Sequence, residues 1–280
     1  MSGAWRRRVR SLLPAGVRAW VRRLFGWRWF RGDYASWAVA RAVSAGYEDP
    51  AGLARVIHAA RQVRADHAAW DRDGVTFKEP DFHEPLVKAL QRVQSARVAP
   101  LHVIDFGGGL GSTWWQHRTR LVGWVAQWRV VEQPALVTAG RGEFATAPVS
   151  FHDSLAEACT AGPPDAILLS SVLPYVEEPH ALLAAVAARR IPHVILDRTP
   201  FTDAARDRLV VQFTPPVLGG GSYPCWLFAR AGLFATLGPD YVLLDEWEVA
   251  FDRLSAAVTH RGMHFALRAE IRSQSVTLAC

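Results

Sequence analysis

Three consecutive glycines end an apolar run in LHVIDFGGGLGST, residues 101–113. Glycine adopts dihedrals and allows close approaches that a Cβ forbids. The stretch therefore suits a ligand lying almost on the main chain at the end of a strand. A glycine-rich turn without a ligand is the alternative. Asp105, Gly107, Gly109 and Gly111 spell D-x-G-x-G-x-G, whereas the dinucleotide fingerprint is G-x-G-x-x-G. Counted from Gly107 the third glycine position is Ser112, and counted from Gly109 it is Trp114. That mismatch disfavours nicotinamide-dependent oxidoreduction. The second marker is Glu132 in WRVVEQP, 21 residues after Gly111. An ionised carboxylate offers several acceptor sites and no donor, so at the end of the next strand it can take both hydroxyls of a ribose. An ordinary solvated acid is the competing reading.

These residues need a sheet to position them. Apolar runs predict strands at 101–106, 128–132, 149–152, 165–171 and 192–197, with helical segments STWWQHRTRLVGWVAQ, PALVTAGRGEF, SLAEACTA and EPHALLAAVAARR between them. Such alternation implies a parallel sheet covered on both faces. YVLLDEWEV and HFALRAE predict a closing antiparallel pair, after a helix near 229–237. Residues 33–98 read as a helical preface: DYASWAVARAVSAGY, a helix opening at Pro50, and HEPLVKALQRVQSA, with DRDGVTFKEP as a polar loop between them. Residues 201–228, which hold TPPVLGGGSYPCW, are too rich in proline and glycine for a regular element and predict an irregular insertion, either a mobile lid or a static connector.

VIDFGGGLGS, VVEQP and PDAILLSSVLPYVEEPHALL, in that order, resemble the successive motifs of class I S-adenosylmethionine-dependent methyltransferases. SWAVARAVSAGY, DFGGGLGS, VVEQP, LPYVEEP, DRTPF and YPCWLF more narrowly resemble a family of methyltransferases of unassigned substrate, over about residues 33–270. The resemblance implies a doubly wound, seven-stranded, mostly parallel Rossmann-like α/β sheet with an N-terminal helical extension, and S-adenosyl-L-methionine as cofactor. The expected domains are a basic arm at 1–31, which lies outside the resemblance, the extension at 32–99, the methyltransferase-like domain at 100–272 with its insertion at 201–228, and a tail at 273–280. Gly107, Gly108, Gly109 and Gly111 would admit the cofactor's amino-acid end. Asp105 would fix that turn or meet the cofactor's ammonium through water. Glu132 would hold the ribose and Gln133 would flank the adenine. Asp153 would accept from the adenine amino group, or else cap the following helix. Ser170 and Ser171 end the fourth strand, where ligands gather in open α/β sheets.

The catalytic step is less legible. Methyl transfer needs an aligned nucleophile and sometimes a base. Tyr175, Asp197, Arg198 and Tyr223 are the candidates, with His180 and Trp226 behind them. Asp197 and Arg198 either grip the acceptor or pair with each other. The expected acceptor is a small molecule or a glycan precursor, the latter implied by resemblance to proteins of surface-polysaccharide biosynthesis. A catalytically silent cofactor-binding module that docks on a membrane or a partner is the other reading.

Composition narrows the classes. The formal net charge is +6, but nine arginines and no acid lie in residues 1–31, which leaves −3 for the remainder. A basic nucleic-acid-binding face across the body is thereby disfavoured. Val17, Trp20, Val21, Leu24 and Phe25 recur at helical spacing among those arginines. Such a segment either lies on an anionic membrane as an amphipathic helix or packs on the domain. No apolar run reaches the ~20 residues of a membrane span. Cys159, Cys225 and Cys280 form no disulfide or zinc pattern, and the ten histidines are scattered along the chain. A cytoplasmic protein without a metal is expected, in peripheral contact with the membrane if the arm binds lipid.

Overall fold

The computed structural model describes residues 29–46, 50–214, 220–249 and 258–271. The expected arm falls outside them except for its last three residues, as do the 273–280 tail and the centre of the proline- and glycine-rich stretch.

The described chain opens with β1 (Phe30–Arg31), α1 (Trp37–Ala42) and α2 (Pro50–Arg64). Ser36 caps α1 by accepting from the Val39 N–H at 3.4 Å, and α1 is shorter than its alanine-rich sequence suggested. The hairpin β2 (Trp70–Arg72) and β3 (Val75–Phe77) follows, then α3 (Glu84–Ser95). This hairpin corrects the expectation of a polar loop at 71–80. Asp73 and Gly74 both adopt positive φ, 51° and 76°, which is what a two-residue type I′ turn requires. Leu86, Val87, Leu90 and Val93 make the buried stripe of α3.

The alternating part contains β4 (Leu101–Phe106), α4 (Ser112–Leu121), β5 (Val125–Val131), α5 (Pro134–Ala139), β6 (Val149–His152), α6 (Leu155–Thr160), β7 (Ala166–Ser170), α7 (Pro179–Ala188) and β8 (His193–Thr202). Then come β9 (Arg208–Phe213), β10 (Ser222–Ala229), α8 (Arg230–Leu237), β11 (Tyr241–Glu248) and β12 (Val258–Leu267). The main sheet runs β6-β5-β4-β7-β8-β12-β11, with β12 antiparallel to both its neighbours and the first five strands parallel. This is the expected seven-stranded, mostly parallel sheet. An open dinucleotide-binding sheet continues with a parallel sixth strand. Here an antiparallel strand occupies that place.

Alternation along each strand builds two cores. Val103, Leu168 and Ile195 face α3 and α4 with Trp114 and Trp128, while Ile104, Ile167 and Leu196 face the other way against Leu183 and Leu233. Among the described residues the insertion holds two regular strands. β9 and β10 form an antiparallel hairpin that joins β8 beyond the end of β7, through Phe228 and Ala229 beside Phe201 and Thr202. Pro224 is tolerated because Thr214 donates to Gly221 across the same ladder at 2.9 Å, and the alternation from that pair turns the Pro224 nitrogen away from β9. β1 adds to the outer edge of β9, and the Arg31 guanidinium lies 4.2 Å from the Phe213 ring centre. Residues 30–31, assigned to the arm by sequence, are thus part of the sheet.

Candidate functional site

The glycine turn joins β4 to α4 at the carboxyl end of the sheet. Gly107, Gly109 and Gly111 have φ of 73°, 61° and 85°, a region costly for any other residue. Their side-chain spaces differ. A Cβ on Gly107 would stand 2.3 Å from Val172 Cγ2, and one on Gly108 2.4 Å from Asp105 Oδ2. At Gly109 the nearest atom would be Ser112 Oγ, at 3.9 Å. The first two glycines are therefore required by the protein's own packing, and Gly109 alone opens outward. Asp105 lies beneath the turn, 1% exposed, and accepts from Trp128 Nε1 at 3.0 Å. Burial pushes its pKa up to about 7, against the Trp128 hydrogen bond and with some help from Glu132.

Glu132 follows β5 directly, across from that turn. Among the described residues its carboxylate takes only main-chain donors, the Gly109 N–H at 3.2 Å and the Gln133 N–H at 2.7 Å. Burial raises its pKa in spite of those two bonds. Each oxygen retains a lone pair, so this acid can receive two hydroxyls beside the open face of Gly109. The residues present fit a ribose. Gln133 is exposed and opens α5. Asp153 follows β6, where Arg141 holds its carboxylate at 2.9 Å. The helix-capping alternative for Asp153 fails, because Ser154 is the cap and accepts from the Glu157 N–H at 3.1 Å.

Ser170 and Asp197 are partners in the β7–β8 register, level with Gly107. Usual strand spacing puts Asp197 about 10 Å from Gly107, two strands across. Asp197 is fully buried. Its Oδ1 accepts from Trp247 Nε1 at 3.1 Å and pairs with His83 Nε2 at 2.9 Å, while its Oδ2 accepts from Ser170 Oγ at 2.9 Å. Burial alone would raise its pKa. The His83 hydrogen bond and charge, with Arg198 and Ser170, outweigh that and hold it below the usual carboxylate range. Ser171, at φ 57°, donates its N–H to the Asp197 carbonyl at 3.0 Å.

A β-bulge produces this arrangement. Arg261 pairs with Thr199 and Met263 with Leu196, so Asp197 and Arg198 together face Gly262. Arg198 absorbs the extra residue at φ 51°, and a bulge of this kind re-aims side chains. The Arg198 Nε lies 3.6 Å from Asp197 Oδ2 and is buried without a hydrogen bond among the described residues. Sequence alone left gripping an acceptor and mutual pairing open for these two residues, and the structure shows them paired.

The expected candidates Tyr175 and Tyr223 lie against each other, edge to face, with ring centres 6.4 Å apart. Tyr175 donates to Gln212 Oε1 at 2.7 Å, Tyr223 to the Gly220 carbonyl at 3.2 Å, and Trp226 Nε1 to the Glu177 carbonyl at 3.3 Å. All three fasten the β9–β10 hairpin over the turn after β7. His180 is committed elsewhere, between Thr236 and Asp207.

Four site residues were invisible to sequence reasoning: Asp71, His83, His117 and Trp247. Ser112 Oγ donates to Asp71 Oδ2 at 3.1 Å, and burial lifts the Asp71 pKa to about 6, with that bond opposing. The His83 backbone N–H donates to His117 Nε2 at 2.9 Å, and His117 Nδ1 bonds the Thr113 carbonyl at 2.8 Å. Burial drives the His117 pKa down to about 4, against the Thr113 bond, so its neutral ring accepts as drawn. The only sequence signal was local: the Asp-Gly turn beside Asp71.

No protein-family model matches the sequence, and no curated protein matches it significantly. Solved structures do. The magnesium protoporphyrin IX methyltransferase ChlM from Synechocystis PCC 6803, with bound S-adenosylhomocysteine, matches at 17% identity and TM-score 0.48, covering 82% of this chain and 99% of ChlM. The N-terminal domain of EvdMO1 with S-adenosylhomocysteine bound matches at 19% and 0.45, over 74% and 95%. CalS10, an amino pentose methyltransferase from Micromonospora echinaspora, matches at 16% and 0.41, over 74% and 96%. Strand order defines the architecture: an antiparallel strand between the fifth and last strands of the sheet, and a glycine turn closed by the acid after the second. The chain has the fold of the class I S-adenosylmethionine-dependent methyltransferases.

Proposed function

We propose that the chain is an S-adenosylmethionine-dependent methyltransferase acting on a small-molecule or glycan-precursor acceptor. The observation that carries this is the half-buried Glu132 carboxylate bonded to Gly109, the one glycine of the turn whose side-chain space is open. Bound S-adenosylmethionine supplies an electrophilic methyl group. Glu132 holds the ribose, Gln133 flanks the adenine, and Asp153, shared with Arg141, serves the adenine amino group. Residues 100–272 form the catalytic domain. The 32–99 extension completes its site through Asp71 and His83. The acceptor class follows from the family resemblance.

Calorimetry tests the assignment. S-adenosylhomocysteine binds, and Glu132→Ala weakens it by about 1–3 kcal/mol, roughly 5- to 150-fold, the worth of hydrogen bonds to a charged group. Binding of a nicotinamide dinucleotide alone refutes the reading, and an unchanged affinity removes Glu132 from the ribose. The arginines and tryptophans of the arm support contact with an anionic membrane. Flotation with anionic vesicles, with and without residues 1–28, distinguishes lipid binding from packing on the domain.

A further inference from the structure

The extension, the sheet and the closing strand pair converge on one imidazole. His83 precedes α3, and its position is fixed twice: by its backbone N–H on His117 and by its Nε2 on Asp197. The Asp197 carboxylate has no freedom to turn, since Trp247, Ser170 and His83 occupy its two oxygens. A buried carboxylate that stays ionised requires Nε2 to be the donor, so the neutral ring carries its lone pair on Nδ1. Among the described residues Nδ1 has no hydrogen-bond partner, and the His83 side chain is 16% exposed. Around it stand Asp197 and Arg198 from β8, His117 from α4, Trp247 from β11, and Glu84 on its own helix, which is paired with Arg120 at 3.1 Å. Asp105, Ser170 and Asp197 project from alternate positions that share the sheet face carrying Val103, Leu168 and Ile195. His83 therefore lies on the same face and at the same end of the sheet as the glycine turn.

We propose that His83 is the general base of the methyl transfer, that Asp197 is its positioning residue, and that the acceptor atom is a hydroxyl oxygen. This rests on the methyltransferase reading. An amine attacks with its own lone pair and sheds a proton afterwards, whereas a weakly acidic hydroxyl needs the proton taken as it attacks. The acceptor oxygen forms the new C–O bond as the methyl–sulfur bond breaks and leaves its electron pair on sulfur. The hydroxyl proton passes to His83 Nδ1, and the imidazolium is stabilised by Asp197 until it releases that proton to water.

The test observes the ring itself. Full-length protein carrying 15N-histidine is examined by two-bond 1H–15N correlation, with and without S-adenosylhomocysteine, and His83→Gln assigns the resonance. The expected result is an Nε2–H tautomer for neutral His83. Diethyl pyrocarbonate, read site by site by mass spectrometry, should modify Nδ1, and Asp197→Asn should slow that modification roughly tenfold by removing the acceptor that holds the proton on Nε2 and leaves the lone pair on Nδ1. An Nδ1–H tautomer, or a ring inert to the reagent, overturns the proposal. The wild-type tautomer decides the matter even if Asp197→Asn does not fold. Wrong tautomer with S-adenosylhomocysteine bound refutes the base alone; absence of binding refutes the cofactor reading.

Discussion

Gly262 is the position on which the Asp197 arrangement is most exposed to a single methyl group. Trp247 and Gly262 are cross-strand partners, and the indole crosses β12 over the glycine to reach β8. A Cβ on Gly262 would stand 1.9 Å from Trp247 Cε2 and 2.1 Å from Nε1. Carbon contacts settle at about 3.5–4.0 Å, so Gly262→Ala must displace the ring by about 1.5–2 Å. The Nε1–Asp197 bond, now 3.1 Å, is then beyond reach. Losing a bond to a charged group costs about 1.5–3 kcal/mol, and overpacking adds about 1–3 kcal/mol. The φ of Gly262 is not left-handed, so alanine brings no backbone strain of its own. Urea unfolding should therefore show a loss of about 3–5 kcal/mol. In a Trp247→Ala background, which itself costs about 3–5 kcal/mol, the same substitution should cost under about 1 kcal/mol, because the clash and the bond are both already gone. A Gly262→Ala protein within about 0.5 kcal/mol of wild type, or an equal loss in both backgrounds, refutes this account of how Trp247 reaches Asp197.

Gly109→Ala and Gly107→Ala should separate binding from folding. The first adds only left-handed strain of about 1–2 kcal/mol but weakens S-adenosylhomocysteine by more than about tenfold in calorimetry, because its methyl group enters the open face. The second collides with Val172 at 2.3 Å and should lower the urea midpoint more than Gly109→Ala does; the opposite order refutes the division. Asp105 predicts a pH dependence of stability. Its folded pKa of about 7 lies above the ordinary 3.8, so between those values the folded chain binds more protons and this group's contribution falls as pH rises, by at most about 1.4 kcal/mol per unit. Asp105→Asn should remove that slope, gaining on wild type between pH 5 and pH 8 in paired urea titrations; a parallel pair of pH curves refutes it.

The cofactor half of the site was legible because its residues are contiguous. Leu101 to Phe106 announce a buried strand, the glycines announce a turn, and Glu132 closes the next apolar run, all within 32 residues. Parallel strands buried on both faces leave a strong periodic signature, and the terminal antiparallel pair kept its own. The hairpin at β2–β3 was missed although Asp73-Gly74 is a strong turn signal, because three-residue strands are too short to show alternation. The β9–β10 hairpin was missed because a proline inside a strand counts against it unless the register is known, and register is a property of the pair.

The acceptor half was illegible for a different reason. His83 and Asp197 are 114 residues apart, and Trp247 lies a further 50 beyond Asp197. No local pattern binds them, and Trp247 depends on a glycine on the neighbouring strand. The bulge that lets Asp197 and Arg198 oppose one residue arises from a pairing mismatch between β8 and β12, which no single-strand periodicity encodes. The division has a physical logic. The half proposed to bind the nucleoside uses main-chain geometry and one acid, so it must be written as an unbroken local stretch. The half proposed to meet the acceptor uses side chains from the extension, the bulged strand and the closing pair. Each of these can change while the glycine turn and Glu132 stay in place, so His83 and its neighbours are where a change of acceptor would be written.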